Sequence, residues 1–254
     1  MRANPWLLCP APRTNPAARL FFFHHAGGSA SAFRPWHKLF SPRLEVHFVE
    51  LPGRGGRMRE PAFRQVPPLV ASLSSAMAPL LNVPYALIGH SLGALLAFEL
   101  ARFQRRTGAP GPAHVFASAC RPPRLQNASD RVPADSLTEE QLLERTRSFG
   151  DVPAELFSQP ELLRIVLGYL RADFALLDGY RYEEGPPLDC PITALGGTAD
   201  PRVSPEDLEG WREYTTAGFQ RHLLEGDHFY LNPHSREVVA ILQRELVADG
   251  VRGL

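Results

Sequence analysis

Cysteine is scarce in this chain, and Cys9, Cys120 and Cys190 lie far apart with no C-x-x-C pair. So odd and sparse a set argues against a disulfide framework and against a zinc site, and it fits a reducing, cytoplasmic compartment. Long apolar runs are missing as well. No stretch approaches the ~20 residues that span a bilayer, and Trp6-Leu7-Leu8-Cys9 is too short and too broken by prolines to be a signal-peptide core. Charge of either sign is not in excess, since 27 basic and 27 acidic side chains cancel. Nucleic-acid and membrane-surface binding therefore leave no whole-chain signature. Repeats and low-complexity tracts are absent. Asn127-Ala128-Ser129 has the letters of a glycosylation acceptor, which carry no meaning in a cytosolic chain.

What is present suits one large α/β domain. The 254 residues are 44% apolar and 21% charged, enough to bury a sizeable core. Residues 1–18, rich in Pro, Ala and Arg, read as a loosely held arm. Short apolar runs then predict six strands: Arg19–His24, Leu44–Val49, Tyr85–Leu87 leading into Ile88, His114–Ser118, Ile192–Leu195 and Phe219–Leu224. Helices are expected near Ser31–Phe40, over Val66–Leu81, after Leu92 and over Ser235–Ala248. Strands alternating with helices imply a mostly parallel sheet covered on both faces. About seventy residues separate the fourth and fifth strands, far more than one crossover helix needs. This insert, at about 121–189, has capping-box patterns at Ser136-Leu137-Thr138-Glu139 and Ser158-Gln159-Pro160-Glu161. Its second helix is apolar around its axis, as a lid between core and substrate channel would be. A small helical subdomain is the alternative, and the lid is favoured because the insert follows the carboxyl end of a strand, where open α/β sheets bind ligands.

The chain is organised around Gly89-His90-Ser91-Leu92-Gly93, a G-x-S-x-G turn between an apolar strand and a helix. Such a turn projects a serine hydroxyl off the end of a sheet, and a side chain at Gly89 or Gly93 would collide with neighbouring backbone. A serine needs a base, and the base an orienting carboxylate, in the chain order Ser, Asp or Glu, His. Of the downstream histidines, His222 lies within a strand and His234 at a helix start. His228, in the loop past the last strand, is the expected base. Asp200, past the preceding strand, is the expected carboxylate. Asp207 reads as a helix cap in Ser204-Pro205-Glu206-Asp207, Asp227 as a loop stabiliser, and Asp173 and Asp178 as solvent-facing. The oxyanion needs two backbone donors, assigned to the amides of Leu92 and, in His25-Ala26-Gly27-Gly28, of Ala26. His25 reads as loop packing. Gly53-Arg54-Gly55-Gly56-Arg57 has the look of a phosphate nest, but without a P-loop lysine a flexible turn is the better reading.

As a set these motifs resemble the type II, stand-alone editing thioesterases of polyketide and nonribosomal peptide biosynthesis. The resemblance spans His25–Ala30, Leu51–Gly55, Gly89–Ala94, Gly197–Val203 and Gly226–Phe229, and His24 departs from it where proline is usual. It implies an α/β-hydrolase fold and hydrolysis of acyl thioesters on the phosphopantetheine arm of acyl or peptidyl carrier proteins. Ser91, Asp200 and His228 match the family's triad, with no cofactor and no metal implied. Carrier proteins are typically acidic, so Arg54, Arg57, Arg121 and Arg124 are docking candidates, and a cytoplasmic monomer is expected. A carboxylesterase or lipase with the same triad, and a catalytically silent hydrolase fold, are the alternatives.

Overall fold

The run Leu20-Phe21-Phe22-Phe23 is apolar at every position, which suits a strand covered on both faces. In the computed structural model, which describes residues 4–126, 132–149 and 160–250, this run lies in β2 (Ala18–Phe23). Phe21 and Phe23 enter one core while Leu20 and Phe22 enter the other. The remaining strands are β1 (Leu7–Leu8), β3 (Leu44–Val49), β4 (Tyr85–His90), β5 (His114–Ser118), β6 (Ile192–Gly197) and β7 (Phe219–Leu224). They form one sheet in the order β1-β3-β2-β4-β5-β6-β7, parallel throughout except for β1 against β3.

Helices α1 (Val66–Met77), α2 (Leu92–Thr107), α3 (Glu139–Arg147) and α4 (Pro160–Gly179) cover one face, with Leu69, Leu96, Leu142 and Phe174 in a single core. On the other face α6 (Ser235–Ala248) and short 3-10 turns contribute Val238, Leu242, Phe33 and Trp36. A short α5 (Pro205–Glu209) begins on the Ser204/Asp207 capping box that the sequence indicates. The layered α/β-hydrolase arrangement is the one expected.

Several local expectations are corrected. The N-terminal segment is no loose arm: Leu7 and Leu8 pair with Val49 and Phe48, and Trp6 stacks under the guanidinium of Arg57 at 3.8 Å. Ser31–Phe40 forms two 3-10 turns, Ala30–Ala32 and Arg34–Lys38, rather than one helix. In the insert the first capping box uses Thr138 and Gln141, two residues on from the pattern at Ser136. Ser158 of the second pattern, and the Asn127–Ser129 acceptor, lie outside the described residues. The insert's Leu142, Leu167, Leu170 and Phe174 belong to the same core as α1 and α2.

Candidate active site

The turn between β4 and α2 is tight because two glycines let backbones touch. A Cβ on Gly89 would stand 2.2 Å from the Gly93 carbonyl, and one on Gly93 would stand 2.1 Å from the Phe23 oxygen. Ser91 between them has φ +56° and ψ −118°, a conformation that costs a non-glycine residue strain. Its amide donates to the Ser118 carbonyl at 2.8 Å, and its own carbonyl accepts from Ala94 at 3.0 Å. The Leu92 amide opens α2, where the first turn has no intrahelical acceptors and the helix dipole is positive.

Asp200 and His228 reach each other because the ladder between β6 and β7 continues past both strands. Thr198 donates to the Leu224 carbonyl and Ala199 to the Gly226 carbonyl, each at 2.8 Å. Only glycine permits this closeness, since a Cβ on Gly197 would lie 2.2 Å from the Asp227 oxygen. The two loops thereby place His228 Nδ1 2.8 Å from Asp200 Oδ2. The Arg202 amide donates to the other carboxylate oxygen at 2.8 Å. With Nδ1 donating to the carboxylate, Nε2 is the nitrogen left to accept a proton, and it has no hydrogen-bond partner. Asp227 instead accepts from the Phe229 amide at 2.8 Å, a loop-stabilising contact as expected.

Ser91, Leu92 and His228 line one cavity of about 290 Å³ beneath the insert, with Val132, Leu137, Phe149, Leu177 and Val203 supplying apolar wall. Arg121, Arg145 and Arg202 line it too. Of these only Arg121 stands out in the sequence, because nothing local marks the other two as facing a cavity. Arg124 is exposed and holds Glu184 at 2.7 Å.

His25 is loop packing, as read from sequence: its ring stands edge-on to Phe229 at 5.0 Å and to His90 at 5.9 Å. Burial, then the nearby charges of His228 and Arg54, pushes its pKa down to about 4. Burial likewise holds His24 and His90 well below the usual histidine range. His90, which the sequence reading passed over, binds Ser118 Oγ at 2.8 Å, and Ser118 in turn contacts the Tyr230 hydroxyl at 2.7 Å. The signal was its place inside G-x-S-x-G. His222 is half-buried, 3.5 Å from Glu245, and His234 pairs with Glu237; neither borders the cavity.

Two expectations fail at the insert. Asp173 is buried, not solvent-facing, and forms a two-pronged ion pair with Arg54 at 2.6 and 2.7 Å. Asp178 is mostly buried against Arg145 at 2.6 Å. Arg54 and Arg57 are consequently no docking residues: Arg57 binds Glu60 at 2.6 Å and the Glu50 carbonyl at 3.0 Å. The glycine-rich loop that carries them is an anchored structure, not a flexible turn. A partner far away in sequence decides this, which no local pattern reveals.

Among the described residues one group, Cys9, Glu45 and His47, is spaced for a metal ion, with ligand atoms within 4.8 Å. Glu45 is already engaged by Arg19 at 2.7 Å, His47 at 2.9 Å and the Arg13 amide at 2.7 Å. The group lies toward the opposite end of the strands from Ser91.

A thioesterase-domain family model matches residues 18–246. The chain belongs to the thioesterase family. It is 38% identical to linear gramicidin dehydrogenase LgrE of Brevibacillus parabrevis, over 98% of this chain and 96% of that protein. It is 35% identical to the gramicidin S biosynthesis protein GrsT of Aneurinibacillus migulanus, over 96% and 95%. Among solved structures, the RedJ thioesterase of the prodiginine pathway in Streptomyces coelicolor is 40% identical with a TM-score of 0.84, covering 94% of this chain and 96% of that one. The type II thioesterase BorB of the borrelidin cluster is 32% identical with a TM-score of 0.85, over 97% and 98%. No helix among the described residues of this thioesterase is long and apolar enough to cross a membrane.

Proposed function

We propose that this thioesterase hydrolyses acyl groups from the phosphopantetheine arm of acyl or peptidyl carrier proteins, clearing stalled or misprimed chains. The observation that carries the reading is a strained serine and a carboxylate-oriented histidine facing one cavity in a family member. Similarity along the whole chain to proteins of gramicidin, prodiginine and borrelidin biosynthesis supports the assembly-line setting. The turn after β4 reads G-x-S-x-G and lacks the G-x-G-x-x-G of a dinucleotide fold, so nothing there supports dehydrogenase chemistry of the kind that LgrE is named for.

In this mechanism His228 Nε2 takes the Ser91 hydroxyl proton as Oγ attacks the thioester carbonyl. The amides of Ala26 and Leu92 hold the oxyanion, and Asp200 keeps the imidazole in the tautomer that can accept. The same proton passes to the departing thiolate, freeing the carrier thiol and leaving acyl-Ser91. Water attacks next, giving its proton to His228, and collapse of the second oxyanion releases the acid and restores the serine. No cofactor is required. The insert of about 121–189 acts as the lid within a single 1–254 domain. Arg121, beside the cavity, and exposed Arg124 are the remaining docking candidates for an acidic carrier. The setting is a cytoplasmic monomer working beside its synthase.

Rates on an acyl-carrier protein, an acyl-CoA mimic and a simple oxoester test the substrate class. The carrier thioester should give the highest kcat/KM; a strong preference for oxoesters makes the protein a carboxylesterase instead. A fluorophosphonate probe should label Ser91 in the folded protein, and no labelling would point to a silent fold.

A further inference from the structure

The loop that carries the Ala26 amide is a turn closed by the Gly28 amide on the His25 carbonyl at 3.0 Å. Gly27 has φ +78°, the conformation that glycine supplies at the third position of a type II turn. Two further contacts hold it, and neither is local. The Gly27 amide donates to Asp173 Oδ2 on α4 at 2.8 Å. Arg54 Nη1 donates to the Gly28 carbonyl at 3.1 Å while the same guanidinium grips both Asp173 oxygens. Arg54 and Asp173 are 2% and 1% exposed. Burial opposes the charge on Arg54 and Asp173 more than offsets it, so the guanidinium stays ionised. Tyr169 lies 4.6 Å under that guanidinium, and Leu170 packs where a Gly27 side chain would be. One face of the insert helix is thus seated on the oxyanion loop.

A desolvated ion pair is weak support for stability, and well-packed apolar residues often replace one without loss. Its presence here is accounted for by what it touches. We infer that Asp173 and Arg54 are positioning residues that fix the peptide of Gly27, and with it the Ala26 amide, so that the oxyanion donor is in place only while α4 is seated. The insert helix then does more than cover the cavity: it completes the machinery, and displacing it switches off the acylation and deacylation steps together. Because these residues act on a donor used chiefly in the transition state, their loss lowers kcat and leaves KM nearly unchanged.

The inference rests on the proposed reaction, so two kinds of readout separate them. Paired substitutions remove the charges together: Arg54→Met with Asp173→Leu takes away the Gly27 acceptor, and Arg54→Met with Asp173→Asn retains one. Thermal unfolding should place both close to the parent. With an acyl-carrier substrate the Leu pair should lose about 100-fold in kcat, the scale of one misplaced oxyanion donor. The Asn pair should recover at least about tenfold of that, with KM within about twofold in both. A folded Leu pair with parental kcat, or equal kcat in the two pairs, overturns the inference. Hydrogen exchange at the Gly27 amide of the unaltered protein needs neither a variant nor turnover. Protection like that of the adjoining strand amides is expected, and exchange at the rate of an open loop overturns the inference even if a variant fails to fold. Absent thioester turnover with a protected Gly27 would instead remove the proposed function and leave the anchor standing.

Discussion

Replacing Ser91 by glycine and, separately, by alanine isolates the strain stored in the turn. Both variants lose the hydroxyl, so both should lose turnover, and any difference in stability comes from the backbone. At φ +56° and ψ −118° an alanine retains the steric cost of the native serine, whereas a glycine escapes it. That cost is about 1–3 kcal/mol for a non-glycine residue in such a region. Glycine returns about 0.5–1 kcal/mol through the extra freedom of its unfolded chain. Taken at the middle of these ranges, the balance favours Ser91→Gly over Ser91→Ala by about 1 kcal/mol. For a chain of this size that is a melting temperature higher by about 2–4 °C. Neighbouring contacts do not blur the comparison, because the Ser91 amide and carbonyl bonds to Ser118 and Ala94 are main-chain and survive in both. Calorimetry or circular dichroism melts of the two purified variants decide it. If the alanine variant melts at the same temperature as the glycine variant, or higher, the turn stores no strain and the reasoning is wrong.

Asp200→Asn should lower kcat by about 10³–10⁴-fold with little change in folding, since an amide no longer dictates the His228 tautomer; a loss below tenfold would dismiss that role. Stability should fall as pH drops from about 6.5 to 4, because the unfolded chain then binds protons that half-buried His25 refuses until about pH 4. His24 and His90, also held low by burial, act in the same direction. Each contributes a slope of up to about 1.4 kcal/mol per pH unit within its window, visible in urea unfolding at pH 7, 6 and 5. His25→Asn should flatten that profile, and an unchanged slope would count against the assignment. Gly93→Ala should abolish soluble folded protein, as its Cβ would stand 2.1 Å from the Phe23 oxygen, whereas Gly111→Ala, with nothing within 4 Å, should melt within a degree or two of the parent.

The strands and the serine turn are legible in the sequence because their causes are local. Leu20–Phe23 is apolar at every position, and burial on two faces is what that pattern requires. The G-x-S-x-G spacing is equally local, since Gly89 and Gly93 answer contacts made within one strand-turn-helix unit and the strand beside it. Asp200 and His228 could be chosen from topology alone, because loops at the carboxyl ends of adjacent parallel strands must lie side by side. Their meeting also needed Gly197, whose lack of a side chain lets the two loops close on each other. Asp173 and Arg54, separated by 119 positions, carry no such mark. A carboxylate in a helix has the letters of a solvated one until a guanidinium from another loop is brought beneath it, and desolvation then turns an ordinary charge into a fixed anchor. Sequence determined which residues can do the chemistry; only the packing of the insert on the sheet decided what holds the His25–Gly28 loop.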